Sequence, residues 1–215
     1  MSVPFIAVEG PIGVGKTSLS TAIADTQQFH QLKEIVDENP FLNKFYNNIE
    51  EWSFQTEMFF LCNRYKQLSD IKNEILVEQK SVVADYHIFK NLIFAKRTLI
   101  PEEYAKYEEI YKILTQDMPV PNVIVYLHAS LDTLMKRIDM RGRDFEKNMD
   151  PAYMQQLSED YETFITYFET AHPEIPVLRF NGDELDFVNN AKDLQFILDT
   201  VDATIQKGAA LNELT

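Results

Sequence analysis

The chain has 215 residues with 34 acidic and 20 basic side chains, a formal charge of −14, and such a surface repels phosphate backbones, so long nucleic acids and anionic membranes are not expected partners. Its length suits one α/β domain with a substantial core, its 45% hydrophobic and 25% charged residues are ordinary globular values, and its single cysteine, Cys62, excludes an intrachain disulfide. No basic leader precedes a hydrophobic stretch and no apolar run approaches roughly 18 residues, so a soluble, cytoplasmic protein is expected.

The first segment reads as strand, loop and helix. Val3–Val8 is rich in Val, Ile and Phe, a glycine loop follows, and Leu19–Ala24 continues with helical periodicity. Gly10, Gly15, Lys16 and Thr17 fit G-x-x-x-x-G-K-[ST] at every fixed position. We therefore read Gly10, Pro11, Ile12, Gly13, Val14, Gly15, Lys16, Thr17 and Ser18 as a phosphate cradle. Glycines let backbone N–H groups face phosphate oxygens, and the new helix aims its positive end at them. Lys16 then reaches the β- and γ-phosphates, and the Thr17 hydroxyl suits Mg²⁺.

Gln31–Val36 is predicted as a second strand, ended by Asn39-Pro40 because the residue before proline avoids helix. Glu34 lies near its carboxyl end, where it either faces the crevice beside the phosphate loop or sits on the surface of an edge strand. A long helix opens at Glu51, with Phe54, Met58, Leu61, Cys62, Tyr65 and Leu68 as its apolar stripe. On position alone, Gln55 reads as a solvated amide rather than a base reader. Ser81–Asp85 is the third strand, and Asp85 at its end either serves Mg²⁺ or a proton or caps the next helix. His87 has no metal-ligand spacing with the other histidines and is taken as structural.

Pro101–Asp117 is predicted as an amphipathic helix whose face of Tyr104, Tyr107, Ile110, Tyr111 and Leu114 suits the core or a second subunit. Pro121–Leu127, nearly continuous in apolar character, is the fourth strand. Arg137 and Arg141 then lie four residues apart, with Arg143 just past Gly142. In so acidic a protein these cations either clamp a transferring phosphoryl group or form a solvated face paired with Asp139 and Asp144. Pro151–Ala171 is a helix and Pro176–Phe180 a fifth strand. Asn181-Gly182-Asp183 is a turn at that strand's carboxyl end, where Asp183 can frame an adenine. A last helix spans Asn189–Ile205, giving one domain over 1–207 and a frayed tail over 208–215.

Five segments together carry a family resemblance: Glu9–Thr17, Glu34-Ile35-Val36, Trp52-Ser53-Phe54-Gln55, Ala84-Asp85-Tyr86-His87 and Arg137–Arg143. The chain resembles the deoxyribonucleoside kinase family, nearest a bacterial branch acting on deoxyguanosine. The resemblance implies a P-loop NTPase-type, three-layer α/β fold with a central parallel sheet of about five strands and an arginine lid formed by Arg137, Arg141 and Arg143. It implies ATP and Mg²⁺, transfer of the γ-phosphoryl to the 5′-hydroxyl of a purine deoxynucleoside, and a homodimer.

Residue by residue, Glu34 matches the family glutamate that contacts the 5′-hydroxyl as a candidate general base. Asp85 matches the acid of the D/E-R-S motif, assigned to Mg²⁺ or to the proton. Tyr46 and Glu146 match the pair on the sugar 3′-hydroxyl, and Gln55 matches the amide that reads the base. Tyr86 and His87 replace the motif's Arg and Ser, which puts Tyr86 at the substrate. Asn91 and Cys62 stand where relatives use Asp and Arg beside the base, and Asn91 can pair with a purine edge. A deoxyadenosine/deoxycytidine kinase, a nucleoside monophosphate kinase and a nucleotide-binding regulatory subunit are the alternatives.

Overall fold

The computed structural model describes residues 3–147 and 149–212. Strand β1 (Phe5–Glu9) leads through the glycine loop into helix α1 (Lys16–Gln27), and β2 (His30–Leu32) follows. Helices α2 (Leu42–Asn47) and α3 (Ile49–Asp70) come next, the latter running into a π-helical turn, Ile71–Leu76. Then come β3 (Val82–Ala84), α4 (Lys90–Thr98), α5 (Pro101–Thr115), β4 (Val123–His128), α6 (Leu131–Arg141) and a 3₁₀ turn at Asp144–Glu146. Helix α7 (Pro151–Ala171), β5 (Val177–Asn181) and α8 (Ala191–Asn212) complete the order. The tail expected over 208–215 lies partly outside the described residues, and α8 runs on to Asn212.

All five strands are parallel, in the order β2-β3-β1-β4-β5, as the sequence predicts. Parallel strands need long crossovers, and these helices cover both faces of the sheet. The alternation of side chains along β3 shows this directly: Val83 joins one hydrophobic cluster while Val82 and Ala84 join the other. Central β1 is buried throughout. Its carboxyl end, at the point where the strand order reverses, is where open α/β sheets bind ligands, and the glycine loop begins there.

Strand β2 is shorter than the predicted Gln31–Val36. After Leu32 the chain leaves the sheet, because the Glu34 N–H donates to Asp85 Oδ1 at 2.7 Å instead of to a strand neighbour. Helix α7 starts as predicted, with Pro151 in its first turn and the Asp150 carboxylate accepting from the Ala152 N–H at 2.8 Å. Among the described residues no helix is long and apolar enough to cross a membrane.

Candidate active site

A cleft of about 1050 Å³ opens along the carboxyl edge of the sheet. The glycine loop forms one wall, with Ile12, Gly13, Val14, Gly15, Lys16, Thr17 and Ser18 lining it, while Gly10 and Pro11 lie behind. Gly10 has φ +144°, and a Cβ there would sit 2.1 Å from the Leu127 carbonyl oxygen. Only glycine permits both that backbone and that approach. Helix α1 begins at Lys16 without a side-chain cap, so its first N–H groups face the cleft. Lys16 Nζ donates to the Gly10 and Pro11 carbonyls at 2.8 and 2.9 Å. Burial and the nearby Lys90 push its pKa down to about 7. Beneath the loop, burial pushes the Glu9 carboxyl up to about 7, and Glu9 accepts from the His87 N–H. His87 is itself buried, and burial lowers its pKa to about 4, so it stays a neutral packing residue.

Thr17 and Asp85, far apart in sequence, meet here: Thr17 Oγ1 donates to Asp85 Oδ2 at 2.6 Å. A hydroxyl and a carboxylate are the hard oxygen donors that Mg²⁺ takes, with water and phosphate supplying the rest. Among the described residues no group of three or more His, Cys, Asp or Glu could hold a metal alone. The donor set therefore fits Mg²⁺ delivered with a nucleotide.

Opposite the loop lies Glu34, its side chain 12% exposed. Arg64 Nε donates to it at 3.1 Å and Lys90 Nζ to both its oxygens at 3.0 Å. Burial alone would raise its pKa, but Lys90 and Arg64 outweigh burial and hold it well below the usual carboxylate range. Neither cation is part of the predicted site. Both are about 5% exposed, against the rule that Arg and Lys stay outside unless paired. Glu34 is the partner that permits the exception.

Further along the cleft, Tyr46 stacks on Phe145 at 6.2 Å and 5°, and burial raises its pKa so that the phenol stays neutral. Glu146, buried beside them, receives Arg141 through Nε at 3.1 Å, and Arg143 Nη1 lies 3.8 Å away. Arg137 instead braces the walls, donating to the Val14 carbonyl at 3.1 Å and the Gly182 carbonyl at 2.9 Å. The three arginines thus face the cleft and do not pair with Asp139 or Asp144. At the far end the 182–189 turn closes over the loop. There the Asp183 carboxylate accepts from the Ser130 N–H and Oγ at 2.8 and 2.9 Å, fixing the turn to the start of α6.

Three expected substrate contacts lie elsewhere. Gln55 is exposed and does not line the cleft, nor does the exposed Cys62. Glu57 and Arg64, each two residues later, do, because two residues turn a helix by about 200°. Tyr86 is fully buried behind the site, where its hydroxyl donates to Gln67 Oε1 at 2.7 Å and Arg64 lies over its ring at 5.6 Å. Asn91 is also fully buried, and both ends of its amide are engaged: Oδ1 accepts from Arg64 at 2.6 Å and Nδ2 donates to the Tyr107 hydroxyl at 2.7 Å. Both residues support Arg64 rather than a base. Gln55→Ala is expected to leave kcat/KM for every deoxynucleoside within about 2-fold, the scale of a surface change. A larger loss on one base would return Gln55 to the site.

A phosphate loop on a parallel sheet, facing a buried acid across a nucleoside-sized cleft, defines a phosphotransferase of the nucleoside and nucleotide kinase class. The Deoxynucleoside kinase family matches residues 6–206, and the chain belongs to that family; it is an ATP-dependent deoxynucleoside kinase. It is 54% identical over 194 residues to the deoxyguanosine kinase of Bacillus subtilis (strain 168), covering 90% of this chain and 94% of that one. It is 31% identical over 204 residues to the deoxyadenosine/deoxycytidine kinase of the same strain, covering 93% and 92%. The solved structure of deoxyadenosine kinase from M. mycoides with bound dCTP shares the fold, with a TM-score of 0.78 at 22% identity over 93% of this chain and 99% of that one.

Proposed function

We propose that the chain transfers the γ-phosphoryl of ATP to the 5′-hydroxyl of a purine deoxynucleoside, deoxyguanosine first. The observation that carries this reading is the buried Glu34, held ionised by Arg64 and Lys90 opposite Lys16 and the loop amides. The similarity to the Bacillus subtilis deoxyguanosine kinase supports the choice of base.

The acceptor hydroxyl donates to Glu34, which points the oxygen at the γ-phosphate and takes the proton as the new O5′–P bond forms and the γ-phosphorus–oxygen bond to ADP breaks. Proton affinity matters less than orientation here, since a loose, metaphosphate-like transition state needs little push from the nucleophile. A strongly acidic carboxylate is therefore adequate. Lys16 and the loop N–H groups take up charge on the β- and γ-phosphates, and Arg141 and Arg143 supply further charge from the lid side. Arg137 keeps the loop and the 182–189 turn in register around the nucleotide. Tyr46 and Glu146 hold the sugar. Thr17 and Asp85 would hold Mg²⁺, which neutralises phosphate charge when bound.

Kinetics across deoxyguanosine, deoxyadenosine, deoxycytidine, thymidine and dGMP test the proposal. The expected result is the highest kcat/KM on deoxyguanosine and no turnover of dGMP. Turnover confined to the monophosphate would move the chain to the nucleotide kinases, and ATP binding without turnover would make it a regulatory subunit.

A further inference from the structure

Glu57 has no part in the chemistry described so far, and its surroundings are unusual. It lies on the cleft side of α3 and is 2% exposed. Among the described residues its Oε2 has no hydrogen-bond partner, and Oε1 has only the Thr98 hydroxyl at 3.5 Å, longer than a good O–H···O bond. The neighbouring Thr56 hydroxyl, equally buried, is also unpartnered among the described residues, and Thr56 lines the same cleft. Buried polar atoms without partners are rare and costly, and a carboxylate aimed into a cavity is the costliest kind. Phe45, Phe60 and Phe94 line the same cleft, as do Arg64 and Lys90, whose hydrogen bonds go to Glu34 and Asn91 and leave the Glu57 oxygens to a ligand.

We propose that Glu57 selects guanine, its two carboxylate oxygens accepting from the N1–H and the 2-amino group of the base. Guanine offers two adjacent donors on that edge. Adenine offers an acceptor, N1, beside its 6-amino donor, so an ionised carboxylate would face a lone pair. The proposal rests on reading the cleft as a deoxynucleoside site, and it names the residue that discriminates within it.

The charge state of Glu57 supports the assignment. Burial pushes its pKa up to about 7, against the opposing pull of Arg64 and Lys90. The other groups that bear on it are Glu34, already ionised, and the buried phenols of Tyr46, Tyr107 and Tyr153, whose own pKa values are raised so that they stay neutral. Protonated, the Glu57 side chain presents one donor and one acceptor, which matches adenine. The preference for guanine over adenine therefore rises with pH as Glu57 ionises.

The test compares kcat/KM on deoxyguanosine, deoxyinosine (which lacks the 2-amino group) and deoxyadenosine for the wild-type chain and Glu57→Gln. An amide keeps one acceptor and turns an N–H toward the second guanine donor. The variant's deoxyguanosine/deoxyinosine and deoxyguanosine/deoxyadenosine ratios should each fall about 10-fold or more, the discrimination that a two-point base contact provides. Ratios unchanged within about 2-fold would overturn the proposal, and a merely structural Glu57 would lower all three rates together without moving them. Should the variant not fold, the wild-type chain alone decides. Its deoxyguanosine/deoxyadenosine ratio should climb several-fold between about pH 6 and pH 8, and a flat ratio would overturn the assignment. Glu9 and Lys16 titrate in the same range, but they act on both substrates alike and cancel in the ratio. If no nucleoside is turned over, the kinase reading fails separately. Calorimetric binding of the same three nucleosides then reads Glu57, and equal affinities in wild type and variant would refute it.

Discussion

Glu34→Gln is expected to lower kcat on deoxyguanosine by at least about 10²-fold, the usual scale for a positioned acid–base group, while leaving ATP binding largely intact. Glutamine keeps an acceptor for the 5′-hydroxyl but removes the charge that Arg64 and Lys90 share. Both cations are then buried without compensation, which costs about 3–5 kcal/mol in such pairs, or a fall in Tm on the order of 10 °C for a domain of this size. The pH dependence separates the two effects. Because the Glu34 pKa is depressed on folding, its contribution to stability is complete above the ordinary carboxylate range and is lost as the pH falls through and below it. Acid unfolding of the variant should therefore be shallower than that of the wild type. A variant with normal turnover at a temperature where it is folded would remove Glu34 from the reaction.

Lys16→Met is expected to lower kcat by roughly 10³-fold, the upper range for losing one donor aimed at developing transition-state charge, with nucleoside affinity retained. The free lysine's pKa of about 7 adds a second signature. Phosphate binds the protonated amine, so KM for ATP should rise as the pH climbs above 7, and this dependence should vanish in the methionine variant. A methionine variant with unchanged kcat and KM for ATP would mean that Lys16 is not the group that meets the phosphates.

How far the sequence reveals this site depends on how local each feature is. The phosphate loop is legible because its function needs glycines, a lysine and a hydroxyl within eight consecutive residues, Gly10 to Thr17. Asp85 is legible as a strand-end acid, though its bond to Thr17 across the sheet is not. The buried face of α3 defeats periodicity. Of the expected stripe, Leu61 and Leu68 are buried and Phe54, Met58 and Tyr65 pack partly buried against the core, but Cys62 is exposed and the other buried positions are the polar Ser53, Thr56, Glu57 and Arg64. A helix that walls a polar cleft turns polar side chains inward, so its hydrophobic pattern is weak and its phase cannot be read from composition. The same helix phase puts Gln55 and Cys62, which the resemblance places beside the base, on the exposed side of α3 and turns Glu57 and Arg64 toward the cleft. Lys90 carries no motif, and only the three-dimensional neighbour Glu34 identifies it. The arginines of α6 are legible as a cluster, but their separate tasks depend on partners 45 or more residues away in the case of Arg137 and Gly182, and on Glu146 in the case of Arg141.

The proposed reaction moves the γ-phosphoryl of ATP to the 5′-oxygen of a deoxynucleoside. The most direct measurement is product identification by ³¹P NMR after the purified chain is incubated with ATP, Mg²⁺ and deoxyguanosine. The expected products are 5′-dGMP and ADP in equal amounts. ADP and free phosphate without dGMP, or phosphate attached only to added dGMP, would contradict it.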